Sequence, residues 1–264
     1  MKIGLALGSG GARGIAHLGV WQRLQELDIP IHCIAGTSIG AIAGAVIAAG
    51  RVEEALAWCE MSSWKKLPEL LFDLPTMKAL IAGRSVEKKL RQIIAAESFA
   101  DLEVPFAAVA TDLNTGEALV MQEGDLISAV RASMSIPGVF SPVERAGRVL
   151  VDGGLVNPVP VSVCRALGAD VVIAVDVNPM ADPAVAKPYN ELRITDVLLK
   201  SFGIFNYELT RRELAVNKPD VLIRPDVGQV VALDFRRVGP LVEIGRQAVD
   251  EKVVEMLKSK RECK

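Results

Sequence analysis

Apolar runs of strand length alternate with helix-spaced apolar residues along most of the chain. Lys2 to Leu7 is a short apolar run that ends at Gly8. From Ala12 to Leu27 apolar residues then recur every third position (Ile15, Leu18, Trp21, Leu24, Leu27), so the pattern predicts strand, glycine loop and helix. Ile31 to Ala35 is a second apolar run, followed by Gly36-Thr37 and by the unbroken apolar series Ser38 to Ala49. Strand, sharp turn and buried helix are expected again. Further on, a helix is expected from Ser85 to Ala96 and a strand from Pro105 to Thr111. A hairpin turn at Asn114-Thr115-Gly116 leads to a second strand, Ala118 to Gln122. A helix over Asp125 to Ser133, a strand over Val149 to Val151, a helix over Val161 to Leu167 and an apolar strand over Asp170 to Val177 continue the alternation.

Two stretches break this rhythm. Between Val52 and Gly83 the pattern loosens into short helical pieces carrying Trp58, Trp64, Leu70, Leu71, Phe72 and Leu80, punctuated by Pro68 and Pro75. From Ala181 to Lys187 small residues and proline predict a mobile loop. Beyond it, helices over Asn190 to Val216 and Val238 to Lys258 flank a strand at Val221 to Arg224. Sustained β/α alternation predicts an α/β fold, a three-layer α/β/α sandwich around a mainly parallel central sheet. The 264 residues read as one domain, with a motif-bearing part over about 2–179 and a C-terminal helical part over about 188–260.

Composition narrows the picture. Half the residues are hydrophobic but only 5% are aromatic, so the core must be built from Ala, Val, Leu and Ile, as buried parallel sheets are. A net charge of −2, from 30 basic and 32 acidic residues spread along the chain, leaves no electrostatic footprint for nucleic acid. Cys33, Cys59, Cys164 and Cys263 lie far apart with no CxxC pair, and only two histidines accompany them. Neither a zinc site nor a disulfide framework is indicated. Ile29 to Gly50 lacks acidic and basic side chains apart from His32 and spaces Gly36, Gly40 and Gly44 by four, as packed membrane helices do. Pro30 and Gly36-Thr37 interrupt it, however, so its uniform part is too short to span a bilayer. The N-terminal apolar run is broken by glycines and Arg13 before any cleavage site, and a cytoplasmic protein is expected.

The candidate chemistry sits at two strand-to-helix turns and one strand end. Gly36-Thr37-Ser38-Ile39-Gly40 is G-x-S-x-G between a predicted strand and helix, the context a nucleophile elbow needs. Ser38 would lie at a helix N-terminus, where backbone amides favour developing negative charge. As a plain turn, the same segment would use Ser38 as a helix cap. Gly8-Ser9-Gly10-Gly11-Ala12-Arg13-Gly14 is a second glycine loop, offering unencumbered N–H groups to an oxyanion. It fails as a dinucleotide fingerprint, because Arg13 stands where the last glycine belongs and no acidic residue follows the second strand; a Walker A lysine is also missing.

A serine nucleophile needs a base. His17 and His32 both precede Ser38, which rules out the serine, acid, histidine order of α/β-hydrolases. Both histidines read as structural. Asp152, in Val151-Asp152-Gly153-Gly154, ends a predicted strand, and strand ends of parallel sheets converge on active sites. Asp152 could equally cap a turn.

Together, and in this order, the three blocks resemble the patatin-like phospholipase family in its compact bacterial form, over roughly Lys2 to Pro179. The resemblance implies Ser38 as nucleophile, Asp152 as general base, the amides of Gly10 and Gly11 as oxyanion donors, Arg13 as a brace of that loop, and Gly36 and Gly40 as the elbow glycines. The stretch Ala132-Ser133 through Pro137-Gly138-Val139-Phe140-Ser141-Pro142 also resembles a family segment. Ser9 departs from the pattern, where glycine is common. The resemblance further implies a phospholipid or other acyl-ester substrate, with no metal or organic cofactor, and transient peripheral contact with the inner membrane surface. Trp58 to Ile81 then reads either as an apolar cap over an acyl chain or as ordinary core. Two other functions remain open at this point: a non-catalytic scaffold whose partners dock on the C-terminal helices, and a nucleotide-binding protein.

Overall fold

The computed structural model describes residues 1–61, 83–178, 188–228, 230, 234 and 237–262. Most of the expected cap segment, the loop expected at Ala181 to Lys187, and Cys263 lie outside the described residues. The strands are β1 (Ile3–Leu7), β2 (Cys33–Thr37), β3 (Phe106–Asp112), β4 (Ala118–Met121), β5 (Val143–Arg145), β6 (Arg148–Asp152), β7 (Val171–Val175) and β8 (Val221–Ile223). The helices are α1 (Ala16–Glu26), α2 (Ile39–Ala48), α3 (Val52–Met61), α4 (Arg84–Ile94), α5 (Leu126–Ser133), α6 (Val161–Ala166), α7 (Ile194–Val216), α8 (Val238–Gln247) and α9 (Glu251–Glu262).

All eight strands form one mixed sheet in the order β5-β6-β3-β2-β1-β7-β8, with β4 also paired to β3. The run β3-β2-β1-β7-β8 is parallel, and β4, β5 and β6 are antiparallel to their neighbours. Both faces of the parallel part are covered, as the alternation of side chains along a strand requires. Ile3, Leu5 and Leu7 of β1, Ile34 of β2 and Ile173 of β7 pack on one face with residues of α1, α2, α5 and α8. Ala6, Cys33, Ala35, Ala107 and Ala174 line the other, under Val161, Val163 and Cys164 of α6 and Leu214 of α7. The second face is built from small side chains, so α6 lies close to the strands: a Cβ on Gly4 would come within 2.7 Å of the Ala169 Cβ and 3.1 Å of the Cys164 Cβ.

Several local expectations change. The second strand runs Cys33–Thr37 rather than Ile31 to Ala35, so Gly36 and Thr37 extend the sheet and the whole turn falls on Ser38. The cause is pairing: Gly36 and Thr37 sit opposite Ala108 and Val109 of β3. The residues after Gly10 form a tight 3-10 turn (Gly11–Ile15) before α1 begins. The helix expected over Val238 to Lys258 is two helices, α8 and α9, broken at 248–250. The strand β5 carried too short a pattern to be read, with half-buried Val143 and Arg145 around exposed Glu144.

The four-residue glycine spacing that resembles a membrane signature serves close packing instead. Gly36 is in β2, a Cβ on Gly40 would lie 2.2 Å from the Leu7 carbonyl oxygen at the end of β1, and one on Gly44 would meet the Phe106 ring at 2.7 Å. Among the described residues no helix is long and apolar enough to cross a membrane.

This packing predicts opposite outcomes for two glycine substitutions. Gly40→Ala drives a methyl into backbone and should cost at least about 3 kcal/mol. Gly203→Ala in α7, where nothing lies within 4 Å of the added Cβ, should stabilise by roughly 0.5–1 kcal/mol through helix propensity. Denaturant melts of the two variants beside the parent chain check both signs.

Candidate active site

The register around β3 creates the site. Ala108 pairs with both Gly36 of β2 and Met121 of β4, while Ala110 pairs with both Leu119 of β4 and Asp152 of β6. Since a residue has one neighbour on each edge, β4 occupies one edge of β3, and β2 and β6 follow one another along the other. β2 runs up that edge as far as Thr37, opposite Val109; β6 runs down it and stops at Asp152, opposite Ala110. Two antiparallel strand ends therefore meet head to head, and Ser38 and Asp152 are the residues at the junction. The expectation that Asp152 ends a strand is met, but that strand is antiparallel, so convergence of parallel strand ends is not what brings it to Ser38. The chain leaves β6 by passing directly over its neighbours: a Cβ on Gly153 would lie 2.2 Å from the Val109 carbonyl oxygen.

At the junction the Ser38 Oγ donates a 2.6 Å hydrogen bond to the Asp152 Oδ2. Both side chains are buried, Ser38 at 4% exposure and Asp152 at 0%. The other Asp152 oxygen, Oδ1, accepts the Gly154 amide at 2.8 Å. Burial pushes the Asp152 carboxyl up to about 7, against the opposing pull of the Ser38 hydroxyl and the Gly154 amide. Such a group can take a proton near neutrality.

Ser38 adopts φ 58° and ψ −122° immediately before α2. A non-glycine residue held there is strained by about 1–3 kcal/mol, and the surroundings hold it on several sides. Its amide donates to the Ser133 Oγ at 2.9 Å, and the Ser133 hydroxyl in turn donates to the Val109 carbonyl at 2.6 Å. Its carbonyl accepts the Ala41 and Ile42 amides as α2 begins. The preceding Thr37 hydroxyl donates to the Asn157 carbonyl. Positive φ turns the chain sharply at Ser38, between β2 and the N-terminal end of α2.

The end of α5 and the segment after it support both residues. While Ser133 holds the Ser38 amide, the Ser135 carbonyl accepts the Asp152 amide at 2.9 Å. Arg131, only 1% exposed, donates to the Ser135 Oγ and the Ser141 carbonyl and stacks over the Phe140 ring. The Thr111 hydroxyl donates to the Asp152 carbonyl. Sequence reasoning marked Ala132 to Pro142 as a segment without assigning a task to Ser133, Ser135 or Arg131. Nothing in their spacing announces those bonds, which depend on the β3 register.

The glycine loop packs beside Ser38. A Cβ on Gly14 would lie 2.3 Å from the side chain of Ile39, the residue after Ser38. Gly10 passes so near Val177 that a Cβ would meet its side chain at 2.6 Å, and Gly11 has φ 62°. The Gly8 and Ser9 amides are taken by the Val175 and Pro158 carbonyls. Among the described residues no hydrogen bond takes up the amides of Gly10 and Gly11. The Arg13 Nε donates to the Gly10 carbonyl at 3.0 Å, and burial lowers the guanidinium to about 10 against the field of Asp176. His17 is fully buried and pushed down to about 4, so its neutral ring donates from Nε2 to the Gly8 carbonyl. The His32 Nδ1 accepts the Ile3 amide at the edge of β1. Both histidines thus hold backbone and neither contacts Ser38.

Ser9, the departure from the family pattern, is a hub. Its hydroxyl donates to the Asn206 Oδ1 of α7 at 2.5 Å and accepts the Asn178 Nδ2 at 3.1 Å, with Thr210 beyond. All four side chains are buried. Asn178 and Asn206 carried no sequence signal. Among the described residues no cluster of His, Cys, Asp and Glu could hold a metal ion.

With this geometry in place, comparison with known proteins is informative. The family model described as patatin-like phospholipase matches residues 5–165. An NTE family protein of Mycobacterium tuberculosis is 41% identical over 177 residues, 67% of this chain and 49% of the relative. A patatin-like phospholipase domain-containing protein of Caenorhabditis elegans is 33% identical across 98% of this chain and 21% of its own length. The chain therefore spans about half the length of the mycobacterial relative and about a fifth of the animal one. Among solved structures, VipD from Legionella pneumophila superposes with a TM-score of 0.60 at 14% identity, covering 98% of this chain and 66% of VipD. That likeness is one of fold, the patatin-like three-layer α/β/α arrangement.

Two measurements test the site's energetics. The Asp152 carboxyl is harder to ionise folded than unfolded, so stability contributed by its neutral form is present below about pH 4 and is lost as pH rises toward 7. Asp152→Asn should therefore melt higher than the parent chain at pH 8, by a few kcal/mol of unfolding free energy, with the gap closing toward pH 4. Ser133→Ala strands the Ser38 amide and the Val109 carbonyl and should cost about 1–3 kcal/mol in urea unfolding at neutral pH.

Proposed function

The chain belongs to the patatin-like phospholipase family, and we propose that it hydrolyses acyl esters of phospholipids or related lipids through Ser38 and Asp152. The observation that carries this reading is the 2.6 Å hydrogen bond from the Ser38 hydroxyl to a fully buried carboxyl poised near neutrality. A serine hydroxyl is a poor nucleophile unless a base takes its proton as it attacks. No histidine contacts it; the carboxylate does.

Each step follows from that contact. The Ser38 Oγ attacks the ester carbonyl carbon, its proton passes to the Asp152 Oδ2, and the carbonyl π pair moves onto oxygen. The amides of Gly10 and Gly11, braced by Arg13 and by His17 through the Gly8 carbonyl, donate to that oxyanion, helped by the N-terminal end of α2. Collapse breaks the bond to the alcohol, which leaves with the proton from Asp152. Water then attacks the acyl-enzyme, gives a proton to Asp152, and frees the fatty acid as the Ser38 oxygen regains its hydrogen. Ester and water alone balance the cycle.

A base with a pKa of about 7 also explains how a carboxylate can replace imidazole. Burial raises its proton affinity into the range where imidazole works, and proton transfer from serine becomes correspondingly less uphill.

A fluorophosphonate probe should label the parent chain and fail on Ser38→Ala; a folded parent chain that resists the probe would sink this reading. Asp152→Asn should cut kcat/KM for a dissolved acyl ester by about 10²–10⁴-fold, the usual share of a general base. The parent chain's kcat/KM should fall tenfold per pH unit below about 7, since protonated Asp152 cannot accept the serine proton.

A further inference from the structure

The helix α7 presents two contrasting faces. Inward it carries Asn206 and Thr210, each 2% exposed, into the buried cluster with Ser9 and Asn178. The Asn206 Oδ1 lies so near the turn after Asp152 that a Cβ on Gly154 would come within 2.6 Å of it. One amide thus touches both the glycine loop and the Asp-Gly-Gly turn. Leu199 packs with Val139 and Phe140, and Leu198 lies over Gly138.

Outward, Ile194, Val197, Leu198, Ser201 and Phe205 recur at i, i+3, i+4, i+7 and i+11, and Ile204 widens the stripe. Ile194 is 73% exposed, Ile204 59% and Phe205 65%. Tyr189, in the 3-10 turn just before α7, is also exposed. Scattered apolar residues are normal at a surface, but a stripe of this length marks a contact site. The acidic groups of α7 are engaged locally: Asp196 accepts the Arg193 amide, Glu208 pairs with Arg211, and Glu213 accepts the Asn217 side chain. Arg193, Lys200 and Arg212 project from exposed positions along the same helix. Bulky apolar side chains flanked by long basic ones are what the boundary between acyl chains and phosphates accommodates.

We propose that α7 is a lipid-docking helix. Its stripe of Ile194, Val197, Leu198, Ile204 and Phe205 settles into the outer acyl region of an anionic bilayer, with Arg193, Lys200 and Arg212 at the phosphates. Through Leu198, Leu199 and Asn206, docking sets the segment 136–140, the glycine loop and the Ser38 site beside the bilayer. A lipid surface is favoured over a protein groove because it satisfies both the stripe and the basic flank. The inference rests on the proposed lipid hydrolysis only for the bilayer being the substrate's source; docking itself needs no turnover.

The test is flotation of the full chain with vesicles of phosphatidylcholine containing a minor fraction of phosphatidylglycerol. The parent chain should float. The double variant Ile204→Ser, Phe205→Ser should lose at least about tenfold in vesicle affinity, the effect of removing one large buried apolar side chain. It should keep its melting temperature, its fluorophosphonate labelling rate and its rate on a dissolved short-chain ester. The charge variant Lys200→Glu, Arg212→Glu should weaken binding to these vesicles, and added salt should do the same to the parent chain. Equal flotation of parent and stripe variant overturns the proposal, as does a parent chain that stays in solution and instead self-associates through the stripe on a sizing column. A chain that labels at Ser38 but does not float defeats docking alone, while one that floats without labelling defeats hydrolysis alone.

Discussion

The head-to-head meeting of β2 and β6 on one edge of β3 is the constraint from which the site follows. A strand edge normally carries one partner along its length; here the edge is divided, with the parallel partner ending opposite Val109 and the antiparallel one opposite Ala110. Both chains must turn away from the sheet within a residue of each other. Ser38 does so by taking positive φ, and the Asp152 chain does so by crossing Val109 where only glycine fits. Side chains at such a junction have no strand continuing past them, so the hydroxyl and carboxyl are left facing one another, both buried. Proximity here is a property of the sheet rather than of flexible loops.

Burying that carboxyl is costly, and the surrounding polar network limits the cost without removing it. Gly154 and Ser38 satisfy its oxygens, and Ser135 and Thr111 fix its backbone. Among the described residues no cation stands against it, which would have returned the group to the ordinary carboxylate range. His17 shows the same logic in reverse: a buried imidazole kept neutral, so that its N–H braces the glycine loop. Its neutral form contributes stability above about pH 6.5 that is lost as pH falls toward 4, a window in which the Asp152 contribution runs the opposite way.

The parallel core and the two glycine turns were legible in the sequence because they rest on local pattern, apolar runs bounded by glycine, whereas Ser38 and Asp152 were singled out as a pair by the resemblance of the three blocks to a known family. The antiparallel direction of β6 was not legible. Val149 to Val151 reads as a strand in either direction, and its partner is set by long-range register. Ser133, Ser135, Asn178 and Asn206 were invisible for a related reason, since a lone polar residue acquires a role only from whatever the fold brings opposite it. The length of β2 was misjudged because Gly36 and Thr37 look like a turn until β3 pairs with them. In the sequence Ser9 reads only as a departure from the family pattern, yet its hydroxyl links the glycine loop to α7.

The extent of the family match and the extent of the cooperative unit are different things. The match ends at residue 165, but β1, at the centre of the sheet, has β7 along its second edge, and β7 has β8 beyond it. Across the α1 surface, a Cβ on Gly19 would fall 1.9 Å from the Val242 carbonyl oxygen, so α8 lies with its backbone against α1. A chain cut at the end of the shared pattern would retain both the serine and the aspartate while baring a fully apolar strand edge and the underside of its first helix. The stretch that the family model matches is thus smaller than what physics requires to fold the chain, and the part beyond it adds Val175, Asn178 and Asn206 to the hydrogen-bonded support of the glycine loop.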